Sequence, residues 1–226
     1  LPTLLAEDTE ITLTVLYSGR LEPQTPDRET LLVAQDDDVS KTMPQQFPDD
    51  YSLSRAEPSY LYSNRSYWYP QSTVSDYATA RIRLTVPVAY GCVASGEQAG
   101  PPEVVMGRSA LDARHVYVFN AKKPARYLSF IISRFIRAEK TAVAFDDPPA
   151  GRTGVDAEGS AAPYQGVTLT VEANPRQRRQ GKQLMTRASD IMKYYQSVIG
   201  DSPYPSFTIA LVENTLPGGH SPAYFA

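Results

Sequence analysis

Side chains able to do chemistry are few in this chain and widely separated. His115 and His220 are the two histidines, and they do not form the i, i+4 pair that places two imidazoles on one helix face to hold a metal. His115 opens an alternating stretch and reads as an ordinary structural or surface histidine. Cys92 is the single cysteine, which excludes an intrachain disulfide and a cysteine-rich zinc module and leaves the redox compartment open. Beside Gly91, with no cation or helix start nearby to lower its pKa, it reads as a small buried hydrophobe. Asp36-Asp37-Asp38 offers oxygen ligands without the spaced acidic and glycine pattern of a calcium loop, so a solvated acidic loop is expected. Serine, histidine and aspartate are all present, but the G-x-S-x-G turn that would present a nucleophile is not. The chain is therefore expected to carry no catalytic residue and no metal ligand of its own.

Two clusters invite a binding reading. Tyr60, Tyr62, Tyr67, Trp68 and Tyr69 crowd a short stretch of a chain with 15 tyrosines and one tryptophan. Flat aromatic faces can stack on a peptide or sugar, and the same residues also pack across neighbouring strands. Arg176, Arg178, Arg179 and Lys182 gather at the start of a helical stretch, where positive charge opposes the helix dipole. They could hold a partner or an anionic surface, or mark an exposed linker.

The elements that must position these groups follow from periodicity. Ile11, Leu13, Val15 and Tyr17 alternate with Thr12 and Thr14, a strand pattern over Glu10–Tyr17 that Ser18-Gly19 ends. Prolines at 23, 26, 44, 48, 58 and 70 predict long loops with short strands between 22 and 80. A second strand runs through Ile82, Leu84, Val86 and Val88, with Pro87 at an edge or strand end. Further strands are expected over His115–Phe119, Tyr127–Ile136, Thr141–Phe145 and Tyr164–Val171. After Pro175 the period changes: Leu184, Ala188, Ile191, Tyr195 and Val198 make one helical stripe, with Gly200 as the cap beyond it. Phe207, Ile209 and Leu211 then alternate again. Strands first and helix-strand order afterwards place a boundary near residue 175.

The composition suits a folded chain, with 226 residues, 42% hydrophobic and 21% charged. A formal net charge of −3 lacks the basic excess that neutralising a phosphate backbone requires, so nucleic acid is not an expected partner. No run reaches the roughly 20 apolar residues that span a bilayer. The start at Leu1-Pro2-Thr3 has neither a basic nor an apolar leader region and, opening on Leu rather than Met, reads as an end set by processing or by the choice of segment.

The order of the segments resembles the aminopeptidase N family of zinc metallopeptidases, which are gluzincins. The resemblance rests on Tyr17-Ser18-Gly19-Arg20-Leu21, similar to the family's Y-x-G-x-L strand end, and on Tyr67-Trp68-Tyr69-Pro70 followed by Asp76–Ile82, similar to its Y-P hairpin. It continues through the Val93-Ala94-Ser95-Gly96 turn and the stretch Lys123–Phe130 to the helix ending at Gly200 before Tyr204-Pro205. It implies a saddle-like β-sandwich with mixed or antiparallel sheets over 1–175, followed by a short α/β segment, the linker helix and first strand of a truncated thermolysin-like catalytic domain, over 176–226. Where the family has its G-x-M-E-N loop, this chain reads Gly218-Gly219-His220-Ser221-Pro222. The glutamate that binds the substrate's amino group in the family is absent, Glu213 lies upstream, and Ser221 could only hydrogen-bond.

The resemblance thus implies that Gly218, Gly219, His220 and Ser221 line a peptide-binding cleft. It also implies that H-E-x-x-H and its zinc lie beyond Ala226, in a parent that is periplasmic, secreted or membrane-associated. The partner would be the rest of its own polypeptide, the catalytic domain, with peptide as the parent's substrate and no cofactor in this chain. The alternative reading is a binding or assembly module with the aromatic cluster as its contact face and no peptidase role.

Overall fold

A computed structural model of the chain describes residues 10–24, 56–71, 77–109, 112–145, 166–200, 202, 204–213 and 222–226. Asp36-Asp37-Asp38 and the loop Gly218-Gly219-His220-Ser221 lie outside the described residues. The fold is mainly β, with ten strands and one long helix among them: β1 (Ser59–Tyr62), β2 (Ala78–Pro87), β3 (Gly91–Ala94), β4 (Glu97–Gln98), β5 (Glu103–Val105), β6 (Arg114–Ala125), β7 (Phe130–Ser133), β8 (Ile136–Ala144), β9 (Gly166–Ala173), α1 (Arg178–Ile199) and β10 (Ser206–Leu211).

Two antiparallel sheets make the sandwich. In one, β6 pairs with β2 along one side and with β4 and β5 along the other; in the second, β7 lies between β1 and β3. The period of two sends Ile82, Val86, Tyr117 and Phe119 inward from the first sheet, against Cys92, Ala94 and Phe130 from the second. Each such large side chain contributes roughly 1.5–3 kcal/mol by leaving water. Gly96 turns β3 into β4 with φ +116°, and an added Cβ there would meet the backbone of Asn120 and Ala121 at 2.8 Å, so glycine is required. The back of the second sheet buries Leu61, Val93 and Ile131 against Phe225, with Phe135, Ala210 and Val212 at the margin.

The third sheet is β8–β9–β10, antiparallel between β8 and β9 and parallel between β9 and β10. In β9 every second residue, Val167, Leu169, Val171 and Ala173, is buried under α1 with Ala138, Val143, Met185 and Ala188. Because α1 connects two parallel neighbours, β9–α1–β10 is a β-α-β unit. Residue 175 falls between β9 and α1, so strands from both sides of it share one sheet. Tyr224–Ala226 runs beside β10, with Thr208 N donating to Tyr224 O and Ala226 N to Thr208 O, both at 3.0 Å.

Three local expectations are corrected. Residues 10–17 form no strand, and Ile11, Leu13 and Val15 are 55%, 82% and 49% exposed. Alternation alone does not make a strand without a neighbour to complete its ladder; the described backbone bond from this stretch to a sheet comes later, from Gln24 N to Leu61 O at 2.7 Å. The stretch Tyr127–Ile136 is not continuous: β7 stops at Ser133 and β8 starts at Ile136. The helix begins earlier than its stripe suggested and is rotated. Its buried face is Gly181, Met185, Ala188 and Gln196, while Ile191, Tyr195 and Val198 are exposed. Gly181 explains this, because its bare Cα lets the helix approach Ala138 and Val171 more closely than a bulky face would.

Candidate functional site

The carboxyl ends of β9 and β10 lie side by side, Ala173 against Leu211, and the chain leaves β10 there toward Gly218–Ser221. Asn174, fully buried, organises this end. Its Nδ2 donates to Ser133 Oγ at 2.8 Å and to Arg134 O at 3.0 Å, and its Oδ1 accepts from Glu213 N at 2.9 Å. The Ser133 hydroxyl donates to Pro58 O and accepts from Ser59 Oγ, which fills its capacity of one donor and two acceptors. One buried polar cluster therefore ties the entry to β1, the β7–β8 break, the β9–α1 turn and the exit of β10.

Glu213 completes the cluster. Its carboxylate accepts from Glu57 N at 3.1 Å and is gripped by the Arg176 guanidinium through both Nε, at 3.0 Å, and Nη2. Burial would raise the carboxyl above its ordinary 4.5, but the Arg176 and Glu57 hydrogen bonds and the Arg176 charge outweigh it, and its pKa is lowered. Three of the roughly four acceptor positions of the carboxylate are therefore occupied from within the fold. Of the basic group at the start of the helix, Arg176 thus has a structural partner, while Arg178, Arg179 and Lys182 are exposed.

Beside the chain's return at Pro222 lies an apolar hollow of about 400 Å³, walled by Phe145, Met192, Ile199, Tyr204, Phe207 and Pro222. Its size and its few polar groups, Gln196 and Ser202 among them, match the general character of small-molecule pockets.

The aromatic residues do not share one surface. Tyr62 stacks on Phe130 at 4.7 Å and Trp68 meets the same ring edge-on at 4.8 Å, so both pack against the sandwich core. The Tyr69 hydroxyl oxygen accepts from Leu128 N at 3.3 Å. Tyr60 faces Tyr90 edge-on and is 38% exposed, and Tyr67, at φ 48°, is 77% exposed. His115 lies half-buried against Tyr117, with Nδ1 3.5 Å from Tyr90 O. Cys92 is buried, and burial pushes its thiol pKa well up. Among the described residues, no group of three or more His, Cys, Asp or Glu side chains converges to hold a metal ion. No helix among them is long and apolar enough to cross a membrane.

The Asn174 cluster was missed from sequence. Asn174-Pro175 ahead of a helical stretch singles out residue 174 as a helix start, but nothing local points to its partners. Its side chain makes no cap bond and turns to Ser133 instead.

No family model matches the chain, and no curated protein does. Its structural neighbours are M1 zinc metallopeptidases. The enzyme from Deinococcus radiodurans aligns at 16% identity and TM-score 0.37, covering 63% of this chain and 28% of that one. A mutant two-domain M1 zinc metallopeptidase bound to L-arginine aligns at 14% identity and TM-score 0.42, covering 75% and 36%. The chain spans about a third of the length of these proteins.

Proposed function

We propose that this chain is the non-catalytic part of a zinc-metallopeptidase-like protein: a β-sandwich over 1–175 that supports a catalytic domain, and the first helix and strand of that domain over 176–226. In this reading Gly218, Gly219, His220 and Ser221 line one wall of the peptide cleft. The observation that supports it is the placement of that loop's flanks. The chain departs at Glu213, beyond the carboxyl end of a strand in a parallel pair, where open α/β sheets bind ligands. It returns at Pro222 beside the other, amino end of β10, on the rim of the apolar hollow walled by Tyr204 and Phe207, which has room for a peptide side chain. The described residues bring no zinc donor set together, so zinc in this reading is held by the parent's remaining residues. With Glu213 committed to Arg176 and serine in place of the family's glutamate, the cleft would hold a substrate amine by hydrogen bonding rather than by an ion pair.

The test is the reading frame beyond Ala226 together with an assay. An H-E-x-x-H segment within about a hundred residues, with no aminoacyl-substrate hydrolysis by this chain alone, is the expected result. Turnover by the purified chain, or a continuation without that segment, would overturn the proposal. In the alternative reading the contact face would be Tyr60, Tyr67 and Tyr69, since Tyr62 and Trp68 pack against the core.

A further inference from the structure

A second cavity, of about 210 Å³, lies between the sandwich and the β8–β9–β10 sheet, and its walls are polar. Its floor is the sheet face turned away from α1. Since Val167, Leu169 and Val171 point to the helix, Thr168, Thr170 and Glu172 must point here. The strand register lays the floor out in rows: Lys140, Thr170 and Thr208 stand side by side across three strands, and Thr168 stands beside Ser206 in the next. Arg137 and Glu172 close one end, paired to each other at 2.8 Å, and Gly96, Glu97 and Gln98 form the opposite wall.

The charges in this cavity are separated by position. Glu172 is neutralised by Arg137, whereas among the described residues neither Lys140 nor Glu97 has an ion-pair partner. The floor therefore offers an ammonium and several hydroxyl donors to an anion, and the wall opposite offers a carboxylate to a cation. A cavity with several times the roughly 30 Å³ share of one water molecule has room for both ends of a small molecule.

We propose that this cavity binds a small zwitterion, its carboxylate on Lys140, Thr170 and Thr208 and its ammonium toward Glu97. The site uses none of residues 218–221 and does not depend on the peptidase reading.

The experiment titrates the 226-residue chain with glycylglycine, following binding by calorimetry and by backbone amide NMR shifts. N-acetylglycine, which lacks the ammonium, glycinamide, which lacks the carboxylate, and inorganic phosphate serve as comparison probes. Glycylglycine should bind more tightly than all three, with shifts concentrated at Thr168, Thr170 and Thr208. Lys140→Gln and Glu97→Gln should each weaken it about tenfold or more. Both positions are at the surface of the cavity, and unchanged near-UV circular dichroism confirms that the variants are folded. Absence of glycylglycine binding, equal binding of phosphate or glycinamide, or binding unchanged in both variants would each overturn the proposal.

Discussion

Asn174 donates from its side-chain nitrogen to the Ser133 hydroxyl across 2.8 Å, joining the last residue of β7 to the turn between β9 and α1. Neither group is exposed to water, so neither can replace a lost partner with solvent. Asn174→Ala leaves Glu213 N and Arg134 O without their partner and should cost about 2–4 kcal/mol in urea unfolding. In a double-mutant cycle with Ser133→Ala, a coupling of at least about 0.5 kcal/mol is expected. Additive effects would show that the bond contributes nothing.

Glu213 makes stability depend on acid. Its folded pKa is lowered, so the unfolded chain takes up the proton first, and the stabilisation is present above the ordinary value of 4.5 and lost as pH falls through the folded value. Glu213→Gln should cost about 1–3 kcal/mol at pH 7, and the difference from the parent chain should shrink at about pH 3. A constant difference across that range would mean that the carboxylate's charge is irrelevant.

Gly181 sets how closely the helix can sit. A Cβ there would lie 2.9 Å from Ala138 Cβ and 3.1 Å from Val171 Cγ1. Gly181→Ala gains about 1 kcal/mol of helix propensity against that crowding and should change thermal stability little. Gly181→Val adds bulk the interface cannot take and should cost about 2–3 kcal/mol. Equal melting temperatures for the two variants would show that the helix rides higher on the sheet.

Cys92 should resist modification. It is 5% exposed and its thiol is held protonated by burial, so iodoacetamide at pH 8 should label it slowly in the native chain and rapidly in urea. Fast native labelling would contradict the packing described for β3.

What could be read from sequence was set by local periodicity. β2, β6 and β9 were found because alternation such as Val167, Leu169, Val171 is a property of neighbouring residues. The helix was found for the same reason, but its buried face was not. The stripe was drawn through Leu184, Ala188, Ile191, Tyr195 and Val198; Ala188 is buried and Leu184 half-buried, but Ile191, Tyr195 and Val198 are exposed, and the docking face runs instead through Gly181 and Met185, the glycine's role appearing only against the sheet. Residues 10–17 show the converse, an alternating pattern that among the described residues pairs with no neighbouring strand. The polar cluster was illegible because Asn174, Ser133 and Glu213 are about 40 positions apart in sequence. The expectation that Cys92 is a buried hydrophobe agrees with the structure.

β6 takes hydrogen-bond partners from three strands, β2 on one side and the short β4 and β5 on the other. Such an arrangement has an order of disassembly built into it. The two short strands can detach and exchange their amide protons while the long β2–β6 ladder stays closed, so the centre of β6 is the part of the sandwich that surrenders deuterium protection last, in step with global unfolding.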